Sequence, residues 1–386
     1  MHTPTLRRSV RTGLALIASA CLLASCQNPD NRPADETSAT TPESSASHSP
    51  TSSEPATTEA TETSATESEG PRATAEGHVV VLSTGGTIAS THDKTGAVVP
   101  TVTGSKLVEP LSGTFDNNKL TLEVKDIAKL DSSAMTLDDT DSIITAVHKE
   151  LQRKDVDGVV VTHGTDSMEE TAIAVDTFQD SDKPVALTGA MRPFDDPDPD
   201  GPDNLALAVK TVTDPSNKGR GTFIAFADRV IPARGAFKSD TSKADGFANN
   251  NGKKQPKRPK ALKYEPLGNT RVDIIAAYPG APADLIQRSL DSGAEGSVIE
   301  GLGAGTSGDE LAQAAKAAAK KVPVVLTTRV DHGPVEGIYG GAGGGATLAD
   351  AGVISSGALR APQARMLLAA AITTDTDPAE LFPDAD

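Results

Sequence analysis

Three short segments place hydroxyl, carboxyl and glycine residues directly after apolar runs. In VVVLSTGGTIAS, Val79 to Ser90, four aliphatic residues lead into Gly85, Gly86 and then Thr87. Such a run suits a strand covered on both faces, and paired glycines let the chain turn sharply and bring bare backbone close to a ligand. Thr87 is thereby presented as a candidate nucleophile. From Gly158, GVVVTHGTDSMEETA repeats the device: a strand ends in Thr162, His163, Gly164, Thr165 and Asp166, and a helical pattern follows from Met168 to Ala174. PVALTGAMRP, Pro184 to Pro193, does so a third time, with Thr188, Gly189 and Ala190 at the strand end. Ligands of open parallel sheets bind beyond the carboxyl ends of the strands, so loops of this kind from neighbouring strands can line one pocket.

The elements that must carry these loops alternate. After the first strand, Thr121 to Ala128 reads as a second strand. Thr136 and Asp139 then form a capping-box pattern before a helix with Ile143, Ile144, Val147 and Leu151 at helical spacing. Strand and helix continue in turn at Val159–Thr162, Met168–Phe178, Pro184–Thr188, Asn204–Val212 and Thr222–Ala227. This predicts a doubly wound α/β domain. Regularity fails from Gly235 to Leu267, where Asn249 to Lys260 reads as a basic, exposed loop. A smaller α/β unit follows an interdomain region near Leu267–Arg271. Its strands are expected at Val272–Ala277, Ser297–Glu300 and Val322–Thr327, and its helices at Ala283–Leu290 and Glu310–Lys320. Parallel strands with right-handed crossovers are expected in both units, the second with a core of its own.

The first 77 residues belong to neither unit. Arg7, Arg8 and Arg11 precede a mostly apolar run from Gly13 to Ser25, the arrangement of an export signal and too short for a membrane span of about 20 residues. Residues 1–25 are read as a signal peptide, and Leu23-Ala24-Ser25-Cys26 resembles a bacterial lipobox, which makes Cys26 the expected lipidation site. Residues 26–77 are read as a disordered tether rich in Ser, Thr, Pro and Glu. A flexible chain of this length spans about 40 Å, with an extended limit near about 170 Å, enough to hold a folded domain off the outer face of the cell membrane.

Cys21 and Cys26 are the only cysteines in the 386 residues, so residues 78–386 hold neither disulfide nor cysteine metal site. The net charge of −17 divides into +3 for the signal and −8 for the tether, leaving −12 for residues 78–386. Nucleic acid is excluded as a partner on that balance.

Four blocks together, TGGTIA (Thr84 to Ala89), HGTD (His163 to Asp166), GAMRP (Gly189 to Pro193) and DGPDN (Asp200 to Asn204), resemble bacterial-type L-asparaginases over roughly residues 78 to 375. The resemblance implies an N-terminal catalytic domain at 78–268, a C-terminal domain at 269–386 and a homodimer or homotetramer. The implied reaction is hydrolysis of L-asparagine to L-aspartate and ammonia, with L-glutamine as a second substrate and no cofactor or metal. Thr87 is then the nucleophile, and Thr165, Asp166 and Lys238, the last in ARGAFK (Ala233 to Lys238), form the group that activates it. Ser132, in LDSSAM, is implied to hold the substrate carboxylate, Asp166 its ammonium, and the carbonyl of Ala190 its amide. Backbone amides near Thr165 are natural oxyanion donors. His163 reads as structural.

The chain also departs from the family pattern. Ser90 to Gly104 lacks the tyrosine that many relatives carry in the loop after the nucleophile, and Ser133 and Ala134 stand where Gln and Asp are common. Glu336 is a weak counterpart of the acidic residue that relatives take from a neighbouring subunit. Asp196, Asp198 and Asp200 imitate the start of a calcium loop, but Leu207 stands at its twelfth position. Gly341, Gly343 and Ala346 imitate a dinucleotide turn without the acidic residue it needs. A lipid-anchored amino-acid-binding protein of a transport system is the competing reading, and the combination of Thr87, Thr165 and Lys238 argues against it.

Overall fold

The computed structural model describes residues 75–251 and 257–382. The expected signal peptide, Cys26 and nearly all of the tether lie outside the described residues.

Val79 to Leu82, wholly buried, form the middle of strand β1 (Gly77–Gly85). A 3-10 turn at Thr87–Ala89 leads into a hairpin of β2 (Ser90–His92) and β3 (Val98–Pro100), a short helix α1 (Gly104–Val108) and β4 (Leu120–Leu130). Helix α2 (Leu137–Leu151) starts at the expected capping box: Thr136 Oγ1 accepts the Asp139 amide at 3.2 Å, and Asp139 Oδ2 accepts the Thr136 amide at 2.8 Å. Its buried stripe is Ile143, Ile144, Val147 and Leu151. There follow β5 (Gly158–Thr162), α3 (Met168–Phe178), β6 (Val185–Thr188), α4 (Gly201–Thr213), β7 (Thr222–Phe226) and β8 (Arg229–Pro232).

Six of these strands form one sheet in the order β4-β1-β5-β6-β7-β8. Its first five members are parallel, and counted along the chain they run second, first, third, fourth, fifth. Chain progression therefore reverses between β1 and β5, which opens a crevice at their carboxyl ends. The loops carrying Thr87 and Thr165 leave the sheet at that crevice.

The edge strand β8 corrects the all-parallel expectation, since it runs antiparallel to β7. Only Ala227 and Asp228 join the two, both at positive φ, and a two-residue turn leaves no length for a crossover. Ala-Asp is not the Asn-Gly or Asp-Gly signature of such turns. The stretch expected to be irregular contains a second small hairpin, β9 (Ala236–Lys238) with β10 (Phe247–Asn249), so Lys238 stands on a strand rather than in a loop. Arg258 in the basic stretch is half-buried rather than solvated. It reaches the buried Asp176 at 2.9 Å.

The smaller unit is a four-stranded parallel sheet, β11 (Val272–Ala276), β12 (Gly296–Gly301), β13 (Val324–Thr328) and β14 (Ile354–Ser355), with α5 (Asp284–Asp291), α6 (Asp309–Ala318), α7 (Gly345–Ala349) and α8 (Ala361–Thr373). One face has its own core around Ile275, Ile299, Leu311 and Leu326. The other does not. Val298 and Val325 join Leu367 and Leu368 of α8 and the buried residues of α3 in a cluster that runs into the larger domain. Helix α3 is thus covered by its own sheet and by α8, which explains why it is buried nearly all round, Thr171, Asp176 and Thr177 included.

Candidate active site

Gly85 and Gly86 take φ of 108° and 80°, a region in which only glycine is unstrained. They turn the chain so that Thr87, half-buried, faces a cavity of about 340 Å³. Close approach is the second reason for glycine here. A β-carbon on Gly86 would overlap the backbone of Gly164, and one on Gly164 would overlap Ser132 Oγ. The loops after β1, β5 and β4 are therefore in contact, and the cavity between them is lined by Thr87, Ser132, Thr165, Asp166, Ala190 and Lys238. All six residues expected in the folded part to act on substrate meet at one place.

Lys238 reaches in from β9. Its Nζ donates to Thr165 Oγ1 at 2.9 Å and to Asp166 Oδ1 at 2.6 Å, with its side chain 19% exposed and that of Asp166 56% exposed. Asp166 does not cap α3. Ser167 occupies the N-cap position, and its hydroxyl donates to Ser132 O at 2.7 Å. Ser132 Oγ accepts the Asp166 amide at 3.2 Å. Neither the Thr87 hydroxyl nor the Thr165 amide has a hydrogen-bond partner among the described residues.

His163 is fully buried, and burial pushes its imidazole down to about 4. A neutral ring can satisfy both its contacts only with the proton on Nδ1, donated to Gly164 O at 2.7 Å, while Nε2 accepts from Thr171 Oγ1 at 3.0 Å. This is a bracing role. It also holds the Gly164 carbonyl inward, which turns the Thr165 amide the other way, because a trans peptide points its C=O and N–H in opposite directions.

The DGPDN block braces the Ala190 loop. Both Asp200 carboxylate oxygens accept backbone amides, from Met191 and Arg192 at 2.9 Å each, and Asn204 Nδ2 donates to Gly189 O at 3.1 Å. Ser90, Val98 and Pro100 of the β2–β3 hairpin line the cavity. The hairpin is tied down by Asp195, which accepts the His92 amide at 2.9 Å and meets its Nδ1 at 3.1 Å.

Two acidic groups at the site went unread in the sequence. Asp131 also lines the cavity, and hydrogen bonds from the Ser133 amide and hydroxyl hold its carboxyl below the usual range. Its position directly before Ser132 was the available signal. Glu169, in the first turn of α3, accepts the backbone amide of Lys238, and burial pushes its carboxyl up to about 7. From the ordinary 4.5 up to about 7 the unfolded chain sheds a proton that the folded chain keeps, so stability falls as pH rises through that window. The loss is on the order of 2 kcal/mol, discounted for partial exposure. Glu169→Gln, which carries no such proton, gains on the parent protein as pH rises across the window. Urea titrations of the two proteins at several pH values check this, and a pH-independent difference refutes it.

A doubly wound sheet with hydroxyls, a lysine and carboxylates gathered at its switch point is joined to a smaller parallel α/β domain. Residues 78–258 match the family described as Asparaginase, N-terminal, and residues 271–382 match the Glutaminase/Asparaginase C-terminal domain. The chain is 31% identical to L-asparaginase 2 of Bacillus subtilis (strain 168), over 79% of this chain and 84% of that protein. It is 32% identical to L-asparaginase 2 of Escherichia coli (strain K12), over 80% and 92%, and 32% identical to the probable periplasmic L-asparaginase of Haemophilus influenzae, over 78% and 90%. The chain belongs to the asparaginase family.

Proposed function

We propose that this protein hydrolyses L-asparagine to L-aspartate and ammonia, with Thr87 as nucleophile. The observation that carries the reading is the Lys238 amine held against both Thr165 and Asp166 in the cavity onto which Thr87 opens. In the first half-reaction Thr87 Oγ1 bonds to the carboxamide carbon. Its proton passes to the Thr165–Lys238 pair, and the carbonyl electrons move onto oxygen beside the Thr165 amide. Collapse of the tetrahedral centre breaks the C–N bond, and the stored proton leaves with ammonia. In the second half water adds to the aspartyl ester while its proton passes to the Thr165–Lys238 pair, and the ester bond to Thr87 breaks as that proton is returned to Thr87 Oγ1. Ser132 serves the substrate α-carboxylate, Asp166 and Asp131 its ammonium, and the Ala190 carbonyl its amide. L-Glutamine, one methylene longer, enters the same site as a poorer substrate.

Ammonia release from L-asparagine by the purified protein, measured beside L-aspartate affinity, tests the proposal. Affinity without turnover would leave an amino-acid-binding protein instead. The exposed Ile338 and Tyr339, 67% and 53% accessible on one loop of the smaller domain, support a homo-oligomer. The periplasmic name of the Haemophilus influenzae relative supports export, and the lipobox reading adds an anchor at Cys26. Cys26→Ser then shifts the protein from the membrane fraction to the soluble fraction. Unchanged sedimentation with membranes would reject lipidation.

A further inference from the structure

Gln363 belongs to the smaller domain, in the first turn of α8, yet its buried side chain is spent on the larger one. Its Oε1 accepts the Gly235 amide at 2.8 Å, and its Nε2 donates to Ala233 O at 2.7 Å and to Glu169 O at 3.2 Å. Both amide donors and the acceptor are engaged. Ala233 and Gly235 begin the segment that ends in Lys238, and Gly235 sits at φ 82°, where the chain bends into β9. The far end of that segment is held as well, because the Lys238 amide donates to the Glu169 carboxylate. Glu169 in turn stands three residues after Asp166 on the turn that presents Thr165 and Asp166. Gln363 therefore touches both sides of the contact between Lys238 and Thr165, and Glu169 closes the ring.

We propose that Gln363 is a positioning residue through which the C-terminal domain sets the register of Lys238 against Thr165 and Asp166. The inference rests on the reading of Lys238 as the proton carrier. Its physical basis is the narrow tolerance of the site: contacts of 2.9 and 2.6 Å leave little room for drift, and misplacement by about 1 Å can cost on the order of 10²-fold in rate. The domains have other ties. Arg365 meets Glu170 at 3.2 Å, and α8 packs on α3 through apolar side chains, so loss of one amide does not part them.

Gln363→Met keeps the length and roughly the volume of the side chain while removing both donors and the strong acceptor. The expected result is a kcat lowered about 10-fold to 100-fold with KM for L-asparagine within about twofold. The readout that a merely structural role would not move is coupling: in a Lys238→Ala background the same substitution costs less than about twofold more. Gln363→Asn, too short to span all three partners, gives a smaller loss with the same coupling and serves if the Met variant folds poorly. An unchanged kcat in Gln363→Met, or an equal further loss in the Lys238→Ala background, overturns the clamp alone. Full activity of Lys238→Ala overturns the reading on which it rests.

Discussion

Thr87→Val lowers kcat on L-asparagine by at least about 10³-fold while L-aspartate affinity stays within about threefold. The size follows from removing the atom that bonds to substrate, which leaves only binding and oxyanion stabilisation. Valine keeps the branched shape, and Thr87 has no hydrogen bond among the described residues for the fold to lose. Any large effect is therefore chemical. Thr165 is the natural control, since its hydroxyl and not that of Thr87 contacts Lys238. Thr165→Val is also severe under this mechanism, but the two differ in where a trapped ester sits. Rapid acid quench with excess L-asparagine, followed by peptide mass analysis, places the aspartyl adduct on the Thr84–Ser90 segment. An adduct on Thr165 would exchange the roles of the two threonines.

Lys238→Ala is expected to cost about 10²-fold to 10⁴-fold in kcat, the range of a positioned proton-transfer group. Lysine and arginine separate the two ways a cation can act at this site. Arginine keeps charge and donors but does not give up its proton in a protein. Lys238→Arg should therefore be nearly as inactive as Lys238→Ala, and small primary amines should restore part of the Ala variant's activity by occupying the space left by the side chain. More than about a tenth of parental kcat in Lys238→Arg would show that charge and not proton transfer is what Lys238 contributes. Asp166 bears on both outcomes, since its carboxylate at 2.6 Å orients the amine and is the nearest acidic partner for a substrate ammonium.

The carboxyl groups around Lys238 divide by surroundings. Glu169 is pushed up to about 7 by burial, and Glu170 beside it is also pushed up by burial, against the opposing pull of Arg365. Asp131 at the cavity wall is held down by hydrogen bonds from Ser133. Asp131 is therefore anionic at the cavity wall, and Glu169, against the Lys238 backbone, is the protonatable group.

Much of the arrangement is legible in the sequence. Val79 to Leu82, Val159 to Thr162 and Met168 to Phe178 gave their strands and helix because an unbroken aliphatic run, or a period of 3.6, has few other ways to be buried. The capping box at Thr136 fixed the start of α2, since both halves of that motif are local. Thr87, Ser132, Thr165, Asp166, Ala190 and Lys238 were named from residue types and the family pattern, and the structure brings them together around one cavity.

Other features were hidden because they depend on partners far along the chain. The β7–β8 turn uses Ala227 and Asp228, whose positive φ no local rule announces. Helix α8 went unread because it is covered on several sides and shows little periodicity. Its position then decides whether the smaller domain stands alone. Glu169 and Gln363 look like ordinary polar helix residues until packing buries them against the backbone of the Lys238 segment. The sequence determined by itself which groups could do chemistry and which strands would carry them, because side-chain type and hydrophobic period are local properties. Only the tertiary structure decided that Gly86 presses on Gly164, that Lys238 reaches Thr165, and that a C-terminal glutamine holds both sides of that contact. Distances between segments 73 to 194 residues apart are set by how the whole core closes.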